Sequence, residues 1–255
     1  MNYAHPEYLI DAEELDKILV NDNVKVFDTS VLLYQVDGAH KAESGINAYL
    51  EEHIQDAGFI DLLNDWSDTD SDLNHTLPSV ATLSQAIGAS GIGPEDQVIL
   101  YSSGHMMWAT RAWWCLHYAG HTSVKILNGN IRAWKNAGLP CESGHHEFAK
   151  TEFAGRPKTQ IFTNTQGVED GQTQDTCTIN ALPTPLYEGT GDFFYGGRGH
   201  IPGSLSLPFT EVLDNEFFLA PEALKTVLES QGMLSEDKVI VYCGGGIAAT
   251  LNAFA

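Results

Sequence analysis

Two stretches of this chain are versions of one another. Gly91-Ile92-Gly93-Pro94-Glu95-Asp96-Gln97-Val98-Ile99-Leu100-Tyr101 is matched 141 positions later by Gly232-Met233-Leu234-Ser235-Glu236-Asp237-Lys238-Val239-Ile240-Val241-Tyr242. A repeat at fixed offset constrains the fold more than any single residue can, because each copy must form the same supersecondary unit. Both copies follow a stretch with apolar residues at three-and-four spacing, Val80 to Ala89 and Pro221 to Ser230, which predicts a helix in each. A short turn, a β-branched run and a Gly-bearing loop come next. In the first copy the pattern continues as a predicted helix over Met107 to Tyr118 and a strand over Val124 to Leu127. A last helix over Ile131 to Ala137 stops at Gly138 and Pro140. Earlier strands are expected at Val24 to Asp28 and at Thr176 to Ala181. Strands alternating with helices argue for an α/β fold in which each copy builds a parallel sheet covered by helices on both faces.

The repeat divides 255 residues into two modest domains. The first is expected over 1–143 and the second over 175–255. Between them, 144–174 reads as a linker and irregular entry, since the stretch from Cys141 to Gln174 is rich in Gly, Thr, Gln, Lys and His with little periodicity. The second copy ends at Ala255, inside the helix that follows Cys243. By analogy with the first copy about 25 residues are expected to be absent from it, a strand and a helix included.

A hydrophobic fraction of 43% is ample for packed cores, and charge is the outlier: 34 acidic against 13 basic residues give a net charge of -21. Such a field repels nucleic acid and anionic membranes, and slows anionic substrates unless positive charge is gathered locally. No apolar run approaches the roughly 20 residues of a membrane-spanning helix, and Met1 to Glu7 has neither the basic start nor the apolar stretch of a leader. A soluble, cytoplasmic protein is expected. Cys115, Cys141, Cys177 and Cys243 share no CxxC spacing and no nearby histidine pattern, so neither a disulfide framework nor a metal site is suggested, and no cofactor is expected.

The offset places Ser102 opposite Cys243. The second loop reads Tyr242-Cys243-Gly244-Gly245-Gly246-Ile247-Ala248, in which a strand ends, a cysteine follows at once and three glycines lead into a helix. In open α/β sheets ligands gather at the carboxyl ends of strands. Consecutive glycines let several backbone N–H groups point at one centre, here Sγ of Cys243, and the following helix adds its positive end. Both effects favour the thiolate, the reactive form of cysteine. The same cradle can hold the outer sulfur of a persulfide, so that one sulfur transfer is split into two displacements. Serine cannot do this near neutral pH, and Ser102 marks a domain without its own chemistry. The bland alternative for Cys243 is a small buried hydrophobe.

These residues resemble the tandem rhodanese family, which includes thiosulfate sulfurtransferases and 3-mercaptopyruvate sulfurtransferases. In the first domain the similar residues are Arg111-Ala112-Trp113-Trp114, Gly120-His121, Val124 to Gly129, Trp134 and Gly138-Leu139-Pro140. In the second, Gly199-His200-Ile201-Pro202-Gly203-Ser204 resembles the family's strand-entry signature, with a decayed counterpart at His53-Ile54-Gln55-Asp56-Ala57. The resemblance implies two tandem rhodanese-like domains, the first catalytically inactive. It also implies a sulfurtransferase that takes sulfur from a small-molecule donor, thiosulfate or 3-mercaptopyruvate, and gives it to cyanide or a thiol through a Cys243 persulfide. Gly244, Gly245, Gly246, Ile247 and Ala248 would bind substrate, and their lack of charge is similar to the loop of the mercaptopyruvate enzymes. Those enzymes hold the substrate carboxylate with arginines soon after the first strand of domain two. Asn180 to Tyr187 offers none here, which leaves Arg198 as the nearest cation, followed by Arg111.

His75 matches a family position that faces the site from domain one; its alternative is a surface-loop histidine. His200 is expected to orient the turn at Ile201-Pro202-Gly203, His145-His146 to be solvated linker without partners at ligand spacing, and Trp113-Trp114 to be core or domain interface. Asp28, Asp61 and Asp65 have two readings, a place near the cleft or a solvated role, and the abundance of acidic residues favours the solvated one. Two rival functions share this fold. A cysteine phosphatase needs an arginine at position 249 to cradle phosphate, and that residue is Ala249. A non-catalytic sulfur-relay or partner-binding module would use the same cysteine, loop and helix.

Overall fold

The computed structural model describes residues 2–36, 39–172, 176–193, 195–235 and 238–255. The linker end expected at 174 and the Glu236-Asp237 pair of the second repeat copy lie outside these residues. The first unit opens with β1 (Leu9–Ile10), α1 (Ala12–Ile18) and β2 (Val24–Asp28), followed by a hairpin of β3 (Val31–Val36) and β4 (Ala39–Ser44). It continues through α2 (Ile46–Glu51), β5 (His53–Ile54), β6 (Gly58–Phe59), α3 (Val80–Ala89), β7 (Gln97–Tyr101), α4 (Met107–Ala119), β8 (Val124–Leu127) and α5 (Asn130–Asn136). After β9 (Cys141–Glu142) and α6 (Thr165–Gln172), the second unit comprises β10 (Cys177–Asn180), α7 (Thr184–Tyr187), β11 (Leu205–Ser206), β12 (Leu213–Asp214), β13 (Phe217–Phe218), α8 (Pro221–Ser230), β14 (Val239–Tyr242) and α9 (Ala248–Phe254).

The first sheet runs β1-β8-β7-β2-β6 and the second β11-β10-β14, each parallel throughout. Parallel strands covered on both faces must be apolar on both, and β7 shows this: Val98, Ile99, Leu100 and Tyr101 are all fully buried. The repeat survives in three dimensions. Helices α3 and α8 begin and end 141 residues apart, and α4 and α9 begin at the same offset. Local chemistry fixes their ends: Ser79 caps α3 by accepting from Thr82 N–H, Pro221 opens α8, and α4 stops at Gly120, which adopts a left-handed φ of 95°.

The stretch read as an irregular linker is ordered on the first unit. Its backbone donates from Thr151 to Gly88, from Arg156 to Ala119 and from Lys158 to Tyr118, so it straps the ends of α3 and α4. Helix α6 lies within it and was not anticipated, since Gly167 and Gly171 obscure its periodicity. One hydrophobic core spans both units, joining Trp108, Ala112 and Leu116 of the first to Ile179, Leu207 and Leu251 of the second. No helix among the described residues is long and apolar enough to cross a membrane.

The solvated role assigned to Asp28 is corrected. Its side chain is fully buried at the end of β2, where Oδ1 accepts from Ser30 N–H at 2.7 Å. Burial lifts its pKa to about 6, against the pull of its bonds to Ser30 and Tyr101. A raised acid pKa means that the native state holds the proton more tightly than the unfolded chain, so stability falls as pH climbs from about 4 to about 6 and stays lower above. The second unit has Asn180 at the matching place, opposite Tyr242 as Asp28 is opposite Tyr101. We expect Asp28→Asn to stabilise the protein by roughly 2–3 kcal/mol at pH 7.5 and to flatten that part of the pH profile, as read from urea unfolding at pH 4 to 8.

Candidate active site

The second sheet aims a cysteine at its carboxyl edge. Parallel pairing sets Asn180 of β10 beside Tyr242 of β14, and Ala181 N–H donates to Tyr242 O at 2.8 Å just beyond. Cys243 therefore leaves the sheet at the tip of β14. It is half-buried and opens on a pocket of about 300 Å³ that it shares with Asn180, Leu182, Leu186, Tyr195, Arg198 and Tyr242. Arg198 reaches this pocket with its Nη1 donating to the carbonyls of Gly189 and Gly191.

The loop beyond Cys243 is an open cradle. Gly246 takes a left-handed φ of 71°, which explains the third glycine. A Cβ on Gly244 would lie 2.2–2.4 Å from the Tyr195 ring, which would have to move, and one on Gly245 would lie 3.1 Å from Cδ2 of His75. The N–H groups of Gly244, Gly245 and Gly246 donate to nothing among the described residues. The matching loop of the first unit is filled from within. There Ser103 N–H donates to Ser30 Oγ at 2.6 Å, Gly104 N–H to Ser102 Oγ at 3.0 Å and Ser102 N–H to Asn130 Oδ1 at 3.2 Å, and Ser102 itself is fully buried.

The first unit also forms the back of the second unit's site. His75 adopts a left-handed φ of 59°, and its carbonyl accepts from Arg111 Nη2 at 2.8 Å. Burial, then the neighbouring Arg111 guanidinium, pushes the His75 pKa down. Arg111 is 4% exposed, lies over the Phe162 ring and stands behind Gly246. Helix α4 meets α9 through Thr110 and Thr250, whose Oγ1 atoms lie 2.9 Å apart, while Trp114 Nε1 donates to Thr250 O.

A family model described as a rhodanese-like domain matches residues 11–137. A probable 3-mercaptopyruvate sulfurtransferase of Pseudomonas aeruginosa is 30% identical over 97% of this chain and 87% of that protein. The chain belongs to the rhodanese family. A putative thiosulfate sulfurtransferase of Mycobacterium tuberculosis is 31% identical to this rhodanese over 97% of the chain and 87% of that protein. The crystal structure of SseA, a 3-mercaptopyruvate sulfurtransferase from Escherichia coli, superposes with a TM-score of 0.83 at 26% identity, covering 96% of this chain and 92% of that one.

Of the residues expected at the site of this rhodanese, Cys243 and Arg198 line the pocket and His75 packs on the loop. Ile247 and Ala248 have their side chains buried in the shared core, which leaves their backbone as the part turned to the loop. Tyr195 and Tyr242 were not anticipated as pocket walls. The first comes from a glycine-rich loop without periodicity, and the second reads as the last residue of a buried strand. The decayed signature at His53 turns out to be structurally intact. His200 Nδ1–H donates to Tyr187 O, their rings stack at 3.8 Å, Tyr187 Oη donates to Ser204 O, and Tyr242 Oη accepts from Ile201 N–H. His53, Tyr49, Ala57, Tyr101 and Ile54 repeat each contact. Asp56, at φ 59°, stands where Gly203 has φ 81°. His146 is not without partners: its ring comes together with the carboxylates of Asp56 and Glu142, potential ligand atoms all within 4.8 Å of one another. Those partners are distant in sequence, so local spacing could not reveal them.

Thr250→Val removes the hydroxyl that links α9 to Thr110 and to the Ile247 carbonyl at 2.6 Å. The unfolding free energy should fall by about 1–2 kcal/mol, measured by chemical denaturation.

Proposed function

We propose that this rhodanese uses Cys243 as the sulfur carrier of a sulfurtransferase. The supporting observation is the contrast between its two loops: one offers a half-buried thiol beneath unused amides, and the other has its amides taken by its own side chains. In the first step the Cys243 thiolate attacks the sulfur of the donor. An S–S bond forms and the donor's bond to that sulfur breaks, its electron pair leaving with the donor. For 3-mercaptopyruvate the C–S bond breaks and the resulting enolate takes a proton to become pyruvate; for thiosulfate, sulfite leaves. In the second step cyanide or a thiolate attacks the outer sulfur and the S–S electron pair returns to Cys243. The amides of Gly244 to Gly246 offset the charge on sulfur in each state.

The donor this pocket fits best is 3-mercaptopyruvate. The loop carries no cation, and among the pocket-lining residues the cation is Arg198, which suits one carboxylate better than a thiosulfate dianion inside a field of -21. The relatives named as 3-mercaptopyruvate sulfurtransferases in Pseudomonas aeruginosa and Escherichia coli support the same reading. The phosphatase alternative lacks its anion clamp, since Ala249 is buried in the core at the position that needs arginine.

Each donor, supplied with cyanide, gives a rate of thiocyanate formation. We expect 3-mercaptopyruvate to exceed thiosulfate by about tenfold or more in kcat/KM, Cys243→Ser to lose about 1000-fold or more with either, and Ser102→Ala to stay within about twofold. Full turnover by Cys243→Ser would remove the mechanism. Loading of Cys243 by a protein donor with no turnover of either small molecule would favour a relay.

A further inference from the structure

Asp56, Glu142 and His146 come from three separate stretches of the first unit: the turn after β5, the end of β9 and the start of the strap that follows it. Each offers one potential ligand atom, and these atoms all lie within 4.8 Å of one another. Ligands held about 2.1 Å from one ion stand about 3.4 Å apart in a tetrahedron, so closure asks only for small rotations of side chains that are exposed or half-buried. The backbone fixes all three positions. Antiparallel pairing of β5 with β9 sets Glu142 opposite His53, and Glu142 Oε1 accepts from Asp56 N–H at 2.9 Å. His146 N–H donates to Tyr49 Oη at 3.0 Å, which pins the start of the strap to a fully buried ring. Asp56 holds a left-handed turn where the second unit has Gly203, so the first copy keeps the turn and gains a carboxylate.

Glu142 also faces the wrong side of its buried neighbour. His53 gives its Nδ1 proton to the Tyr49 carbonyl at 2.7 Å, because a carbonyl can only accept. The neutral ring then turns the lone pair of Nε2 toward Glu142 Oε1 at 3.3 Å. Acceptor against acceptor is unfavourable unless positive charge stands at the contact, on the ring or on the carboxylate. Glu142 Oε2 and the ring nitrogens of His146 make no hydrogen bond among the described residues, so they are open to such a charge.

We propose that Asp56, Glu142 and His146 bind a divalent transition-metal ion, Zn²⁺ by their chemistry, with water completing its coordination. Imidazole argues against Mg²⁺ and Ca²⁺, and a set without sulfur argues against a soft ion. The site shares no residue with the Cys243 pocket. Its ion ties β5 and β9 to the strap, whose backbone closes the ends of α3 and α4, so its role is structural.

Calorimetric titration with Zn²⁺ tests this on the folded chain after its accessible thiols are alkylated, which removes Cys243 as a competing ligand. One ion per chain should bind with a Kd below about 10 μM, and excess Mg²⁺ should not displace it. His146→Ala and Glu142→Gln should each weaken binding about tenfold or more, with far-UV circular dichroism unchanged. Zn²⁺ should also slow tryptic cleavage after the exposed Lys150 of the strap about threefold or more in the parent and have no effect on it in His146→Ala. Affinity unchanged in either variant overturns the proposal. So does a parent that takes up no Zn²⁺, a result that would assign the charge at Glu142 to a protonated His53.

Discussion

The site depends on the first unit covering the second. Three short parallel strands bury little surface by themselves, and a small sheet of this kind needs a partner layer to be stable. Helix α4 supplies that layer. Its Thr110 and Trp114 hold Thr250, while Ala112 and Leu116 share a core with Leu251, so α9 is buried along the face that follows the cysteine loop. Where α9 starts decides where Gly244 to Gly246 point. The unit with Ser102 at its strand tip thus sets the geometry of the one with Cys243 there, which gives a physical reason for the two copies to stay together.

The two loops show how a single fold can be open or closed at the same place. In both, a strand-end tyrosine accepts from the N–H that follows a stacked histidine, and a side chain at the end of the neighbouring strand accepts from the backbone two residues on. The frame is therefore the same. The difference lies in what occupies the cradle: Ser30, Ser102 and Asn130 take the amides of the first loop, whereas the second leaves its amides to whatever binds Cys243. A buried donor without a partner is costly, and the second loop avoids that cost because Gly244 and Gly246 are exposed to water when empty.

Much of the frame was legible in the sequence. The strands Val24 to Asp28 and Val124 to Leu127 and the helices over Val80 to Ala89 and Pro221 to Ser230 occur at the expected bounds, because a continuous apolar run and a three-and-four pattern report burial directly. The cysteine at the strand tip was legible for the same reason. Contacts between residues distant in sequence were not. Asp28 looked like one acid among 34, and only the register of β2 beside β7 shows that it is walled in by Ser30 and Tyr101. Tyr195 sits among glycines that carry no periodic signal. His53-Ile54-Gln55-Asp56-Ala57 looked decayed because Gln and Asp replaced Pro and Gly, yet Asp56 accepts the left-handed turn that glycine takes in the other copy, and the hydrogen bonds are retained.

Net charge and local charge have opposite effects at this site. A chain at -21 opposes gathering further negative charge at one atom, and that opposition acts over distances set by the salt of the medium. What acts at short range is different. Arg111, almost wholly buried behind Gly246, is shielded from counterions in a way that surface lysines are not, and the three loop amides have no partner of their own among the described residues. Both kinds of positive end are fixed by the fold before any sulfur arrives, so little reorganisation is needed when charge appears there. Raising ionic strength weakens the distant repulsion more than the buried attraction. The loop can therefore hold an anionic sulfur on a protein whose surface as a whole repels anions.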